Sequence, residues 1–118
     1  MGSGSFSLPA LSRAIEARDS TAMRGFYGEN AKMTIIDRDH PPSHPQKIVG
    51  RSAIAAYFDD VCGRTMTHKV EDACVDANHL AFTQACAYPD GTRVFCSAMA
   101  ELSGGQIVSE TIVQAWDA

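Results

Sequence analysis

The sequence predicts an α+β fold in which helices lie on one face of a curved, mainly antiparallel sheet. Three observations carry this. Apolar residues recur at helical spacing between Leu8 and Tyr27 and again after Gly50. Long alternating segments fill the chain from Thr65 to Trp116. Only the short spacers Asp76-Ala77-Asn78, Pro89-Asp90-Gly91 and Gly104-Gly105 separate those segments, so the strands follow one another as a meander.

Each element has a local cause. Leu8, Leu11, Ala14 and Ile15 form one face of a first helix from Leu8 to Arg18, and Asp19, Ser20 and Thr21 offer capping chemistry for a second short helix through Tyr27. The stretch AKMTIIDRD alternates as a strand. The three prolines of HPPSHPQ (40–46) then forbid regular structure and mark a long loop. A third helix starts near Gly50, with Ile54, Tyr57, Phe58 and Val61 on one side and Gly63 as its stop. Residues 1–7 lack both a basic start and an apolar signal core and read as a flexible leader, with one domain over 8–118.

Composition narrows the partners. The chain has 118 residues, 45% hydrophobic and 20% charged, enough for one domain with its own core. A net charge of -4 without a Lys/Arg cluster argues against nucleic acid and anionic membrane surfaces, and the apolar runs are too short to span a bilayer. Cys62, Cys74, Cys86 and Cys96 show neither a C-x-x-C pair nor zinc-site spacing, so they read as small thiols without chemistry in a reducing cytoplasm. No metal motif, phosphate loop, dinucleotide fingerprint or nucleophile elbow is present. Any reaction is then expected to be proton transfer that needs no cofactor.

Registering the strands gathers the candidate residues. With Asp90-Gly91 and Gly104-Gly105 as two-residue turns, one face collects Phe82, Gln84, Cys86, Phe95, Ser97, Met99, Glu110, Ile112, Gln114 and Trp116. The other collects small residues, among them Ala81, Ala85, Val94, Cys96, Ala98 and Val113. Such a surface suits packing against a second sheet, so a homodimer through the outer face is expected. Met66, His68, Val70 and Asp72 share the inner side of the first long strand, as Met33, Ile35 and Asp37 do in AKMTIIDRD, unless a bulge reverses either assignment.

Glu110 is the leading catalytic candidate. A carboxyl group among Ile112 and Trp116 is costly to ionise, so its pKa should rise toward the range where it can move protons near neutrality; alternatively it sits at a rim or pairs with His68 or Arg93. His68 is either its acid/base partner or a hydrogen-bonded structural residue, and Asp72 either a site residue or a surface charge. Asp37 and His40 flank the Pro-rich loop, where they bind ligand or serve as solvated turn residues. Gln84, Ser97 and Gln114 can orient a ligand carbonyl or satisfy one another. Tyr57, Phe82, Phe95, Met99 and Trp116 either recognise the ligand as substrate-binding residues or serve as pocket wall and core.

Tyr27 to Ala31, the Gly-Arg-x-x-Ile helix start at Gly50 to Ile54, Gly105 to Ile107, and Gln114 to Trp116 together resemble the NTF2-like superfamily, specifically its SnoaL-like branch, over nearly the whole chain after Leu8. The resemblance implies a conical α+β barrel, usually dimeric, whose sheet wraps a deep apolar pocket. Members include ketosteroid isomerases, polyketide cyclases, dehydratases, epoxide hydrolases and non-catalytic binding domains, so the fold does not settle the function. The steroid-isomerase pattern fails by position: its base falls near Ile35, its helix-borne tyrosine near Leu11 and its protonated aspartate near Ser97. The polyketide-cyclase pattern fits better by role, with Glu110 as late-strand acid/base assisted by His68 or Asp37. Two readings follow: a pocket that binds a small apolar carbonyl compound and acts on it, or a non-catalytic binding or dimerisation module. A solvent-connected cavity touching Glu110 favours the first.

Overall fold

The computed structural model describes residues 6–117. Helices α1 (Leu8–Glu16) and α2 (Ser20–Arg24) lead into strands β1 (Tyr27–Ile36) and β2 (Gln46–Val49) and helix α3 (Arg51–Cys62). Strands β3 (Thr67–Val75), β4 (His79–Ala87), β5 (Arg93–Ser103) and β6 (Gln106–Trp116) complete the chain. The helices start where capping chemistry allows. Ser7 accepts from the Ala10 N–H at 3.2 Å, and Asp19 accepts from the Ala22 N–H at 3.0 Å, each satisfying a first-turn donor with no partner inside the helix. Gly50, at φ 94°, takes a conformation other residues adopt only with strain, and its N–H reaches the Ala31 carbonyl at 2.8 Å.

Several boundaries differ from expectation. Residues 1–5 of the expected leader lie outside the described residues, while Phe6 packs on Phe26 with ring centroids 5.6 Å apart and Ser7 is the α1 cap. The second helix ends at Gly25, and Tyr27 opens β1 instead. Strand β2 emerges directly after Pro45, where the mixed Gln-Lys-Ile-Val stretch carried too little alternation to announce it, and pairs with β1 through Thr34 and Lys47.

The sheet order is β2-β1-β6-β5-β4-β3, antiparallel throughout except for the parallel β1/β6 pair. The helices cover one face, with α1 against β3 and α3 against β1, and bury Leu11, Ile15, Met23, Ile54 and Phe58 there. Burial of large apolar side chains at about 1.5–3 kcal/mol each is the main force holding the layers together.

The register of β5 corrects the sequence reading. Pro89-Asp90-Gly91 forms a three-residue loop, because the Tyr88 N–H donates to the Thr92 carbonyl at 2.9 Å and Gly91 adopts φ 93°. Cys86 therefore faces Val94, one residue away from the expected Phe95. At the other end Gly104 and Gly105 do form a two-residue turn, but an irregularity between Glu101 and Leu102 sets Ala100, not Met99, opposite Glu110. A one-residue slip exchanges the faces of a strand. Val94, Cys96, Ala98 and Ala100 point inward and are buried, while Phe95, Ser97 and Met99 point outward, Phe95 at 48% and Met99 at 67% exposure. In β3 the register shifts between Val70 and Ala73, which keeps His68 inward and leaves Asp72 exposed rather than on the inner face.

Candidate functional site

Cross-strand pairing arranges the inner face in rows. Nearest the open end are His68, Cys86, Val94 and Trp116, followed by Val70, Gln84, Cys96 and Gln114. Phe82, Ala98, Ile112 and Ile35 form the third row, and Leu80, Ala100, Glu110 and Met33 the fourth. Large apolar side chains fill the last two rows: Met33, Ile35 and Leu80 are at most 1% exposed, and Phe82 is part of the same core. The first two rows, Val70 excepted, instead border a cavity of about 630 Å³ that Ile112 of the third row also touches, closed on its other sides by α3 and by the segment after β1. That volume suits a small organic molecule.

One wall carries an acid/base pair. Asp37, just past the end of β1, holds His40 Nδ1 at 2.8 Å, and both side chains border the cavity. A carboxylate accepting at Nδ1–H leaves Nε2 as the basic nitrogen of the ring. The Asp37 and His40 backbones also exchange hydrogen bonds at 3.0 and 3.2 Å, which fixes the turn that brings the side chains together.

A relay crosses the sheet to the helix. The Trp116 indole N–H donates to Gln114 Oε1 at 3.1 Å, and the Gln114 amide donates to the Tyr57 hydroxyl at 3.3 Å. Tyr57, as acceptor of that bond, retains its phenol proton for a further acceptor. Burial pushes the Tyr57 pKa up to about 12, so the proton stays on oxygen across the neutral range. Trp116 is clamped between Tyr88, stacked with centroids 5.8 Å apart, and the Arg38 guanidinium, 4.2 Å above its ring. Arg64 donates to the Tyr88 hydroxyl at 3.2 Å and pairs with Asp60 at 2.6 Å, bracing the mouth.

His68, Gln84, Asp37, His40, Tyr57, Gln114 and Trp116 are thus brought together as expected. Glu110 is not. It is 2% exposed, lies in the fourth row, and accepts a hydrogen bond from Tyr27 rather than pairing with His68 or Arg93. Ile112 separates it from Gln114 along the strand, and it does not border the cavity. Burial raises its pKa to about 7 against the opposing pull of the Tyr27 hydroxyl. Phe82 is core, and Phe95, Ser97, Met99 and Asp72 lie on the outer surface.

Cys86 and Cys96, assigned no chemistry from sequence, both border the cavity, and Cys86 Sγ lies 3.1 Å from His68 Nδ1. Cys96 entered the site only through the β5 register. The sequence signal that could have placed it is Pro-Asp-Gly read as a three-residue loop ending in a left-handed glycine.

No family model matches the chain, and no curated protein matches it in sequence. Solved structures do match. A candidate ketosteroid isomerase from Kribbella flavida DSM 17836 superposes with a TM-score of 0.76 at 14% identity, covering 93% of this chain and 75% of that one. An NTF-2 like protein of unknown function from Burkholderia xenovorans LB400 gives 0.75 at 22% identity, covering 93% and 79%. SalBIII, an epoxide hydrolase/cyclase-like enzyme of pyran ring formation in the polyether salinomycin, gives 0.69 at 22% identity, covering 92% and 87%. At these identities the likeness shows the fold.

Proposed function

We propose that this chain, which has the NTF2-like fold, binds a small, largely apolar carbonyl compound in the cavity and moves a proton on it, with the Asp37–His40 pair as base. The observation that carries the reading is the convergence in one cavity of that pair with the Trp116–Gln114–Tyr57 relay, which ends in a free phenol proton. Tyr57 donates to the ligand oxygen and stabilises negative charge developing there, while His40 Nε2 takes the proton from the neighbouring carbon. The remaining surface of the ligand lies against Ile15, Met23, Phe58, Val94 and Ile112. Isomerisation, aldol-type cyclisation and dehydration all use this step, in keeping with the SnoaL-like resemblance.

Trp116 is the single tryptophan and borders the cavity, so its fluorescence reports occupancy. Titration with a panel of cyclic ketones and enones is expected to give saturable quenching for the compounds that fit. For those compounds, NMR in D2O is expected to show deuterium entering the α-carbon at a rate that falls in Asp37→Asn. Saturable quenching with no exchange above the buffer rate would sink the catalytic reading and leave a binding module. One observation favours that second reading: Glu110, the carboxyl group with the pKa best suited to proton transfer near neutrality, is walled off from the cavity.

The outer sheet face supports self-association. Phe95, Met99 and Val113 are 48%, 67% and 46% exposed there, among small neighbours such as Ala81 and Ala85. We infer that two copies pack sheet against sheet through this face.

A further inference from the structure

The proton-transfer reading leaves one cluster in the cavity unused. Cys86 Sγ lies 3.1 Å from His68 Nδ1 and 3.8 Å from Gln84 Oε1. Cys96, on the neighbouring strand and one row deeper, is its diagonal neighbour across the β4/β5 pair. Both thiols are free, and all four side chains border the cavity. His68 Nε2 is buried without a hydrogen-bond partner. Nδ1 is thus the ring nitrogen placed for proton exchange with the thiol.

We propose that Cys86 is a nucleophile toward α,β-unsaturated carbonyl compounds that enter the cavity, with His68 as its proton partner. The walls select this class. A soft sulfur adds to the electrophilic β-carbon, and the Tyr57 hydroxyl offers a donor for the carbonyl oxygen on which charge accumulates. The Cys86 proton passes to His68 Nδ1, and the sulfur forms a bond to the β-carbon. The π electrons move onto the α-carbon and carbonyl oxygen, and the α-carbon takes the proton back from His68 Nδ1. His68 ends neutral with its own proton on Nε2, the S–H has been added across the double bond, and reversal regenerates the thiol.

Electrostatics agrees with the geometry. The neighbouring Cys96 thiol, and secondarily His68, lower the Cys86 pKa against the opposing effect of burial, while Cys96 is pushed up and stays protonated. The groups facing Cys86 are His68 from β3, Gln84 on its own strand and Cys96 from β5, and none is a carboxylate that would oppose a thiolate. The proposal rests on the ligand reading above in requiring that a small carbonyl compound enter the cavity.

N-ethylmaleimide, itself an α,β-unsaturated carbonyl compound, provides the test, with adducts mapped by peptide mass spectrometry. Exposed Cys74 serves as a reference thiol in the same chain. At about pH 6, Cys86 is expected to react roughly tenfold faster than Cys74, and His68→Asn to slow Cys86 by a similar factor while leaving Cys74 unchanged. A Cys86 no faster than Cys74, or indifferent to His68→Asn, overturns the proposal. The unchanged Cys74 rate and the far-UV spectrum separate loss of the dyad from loss of the fold. Saturable ketone quenching of Trp116 alongside an inert Cys86 defeats this proposal alone, whereas a fast Cys86 in a chain that no ketone quenches defeats the ligand reading.

Discussion

The Tyr27 hydroxyl donates to Glu110 Oε1 deep in the core, joining the first residue of β1 to the middle of β6. Both residues are at most 3% exposed, and burial is the main reason each resists ionisation. The folded state therefore favours protonated Glu110, whose pKa is raised from 4.5 to about 7. A raised pKa contributes stability that is fully present below the unfolded value and is lost as pH climbs through the folded one. Global stability is expected to decline between about pH 4.5 and pH 7 by on the order of 3 kcal/mol from this group, then level off. Urea unfolding across that range checks it, and Glu110→Gln should flatten the profile.

Removing the Tyr27 hydroxyl leaves Glu110 buried without its donor. Tyr27→Phe keeps the ring that packs 5.4 Å from Phe58, so the loss isolates the hydrogen bond. A cost of about 1–3 kcal/mol is expected in chemical denaturation at mildly acidic pH. A neutral result would mean that water or a rearranged side chain replaces the hydroxyl.

At the relay, Tyr57→Phe preserves packing against Phe58, with centroids 5.5 Å apart, and deletes the terminal donor. Affinity for a carbonyl ligand should fall about fivefold to tenfold, as expected for one neutral hydrogen bond, while thermal stability changes little. Isothermal titration with wild type and variant measures the difference. Equal affinities would remove Tyr57 from the oxygen site.

The Asp37–His40 pair yields a kinetic expectation. Asp37→Asn keeps the shape of the turn but replaces the carboxylate that holds His40 Nδ1, and α-proton exchange is expected to drop by about 10²-fold or more. Ligand affinity, read from Trp116, should hold. Parallel loss of affinity and rate would instead mark Asp37 as a binding residue.

On the outer face, Met99→Glu places a charge where the most exposed large apolar side chain of β5 stands. If two copies join there, sedimentation velocity should show the wild-type dimer converting to monomer, while Trp116 fluorescence stays native. A wild-type chain that sediments as a monomer at all concentrations would remove the dimer proposal.

Much of this architecture was legible locally. The periodicities of Leu11/Ala14/Ile15 and Ile54/Phe58 placed helices on one side of the sheet, and alternation in β3 to β6 placed His68, Gln84, Gln114 and Trp116 inward. Those patterns depend on side-chain spacing within a single element, which a sequence displays directly. Asp37 and His40 were legible for a similar reason, since three residues of one turn bring them together.

What only the tertiary structure decided depends on how elements meet. One extra residue in the Tyr88 to Thr92 loop, and one irregularity beside Leu102, turned Cys96 inward and Phe95 and Met99 outward, although either face of β5 was hydrophobic enough to be the buried one. The parallel pairing of β1 with β6 joins segments from opposite ends of the chain and set Met33 beside Glu110 in the core. The sequence by itself determined that Glu110 shares a face of β6 with Ile112 and Trp116, so that burying that face would raise its pKa. Whether it met a cavity or a tyrosine depended on register and on contacts distant in sequence, which no local periodicity encodes.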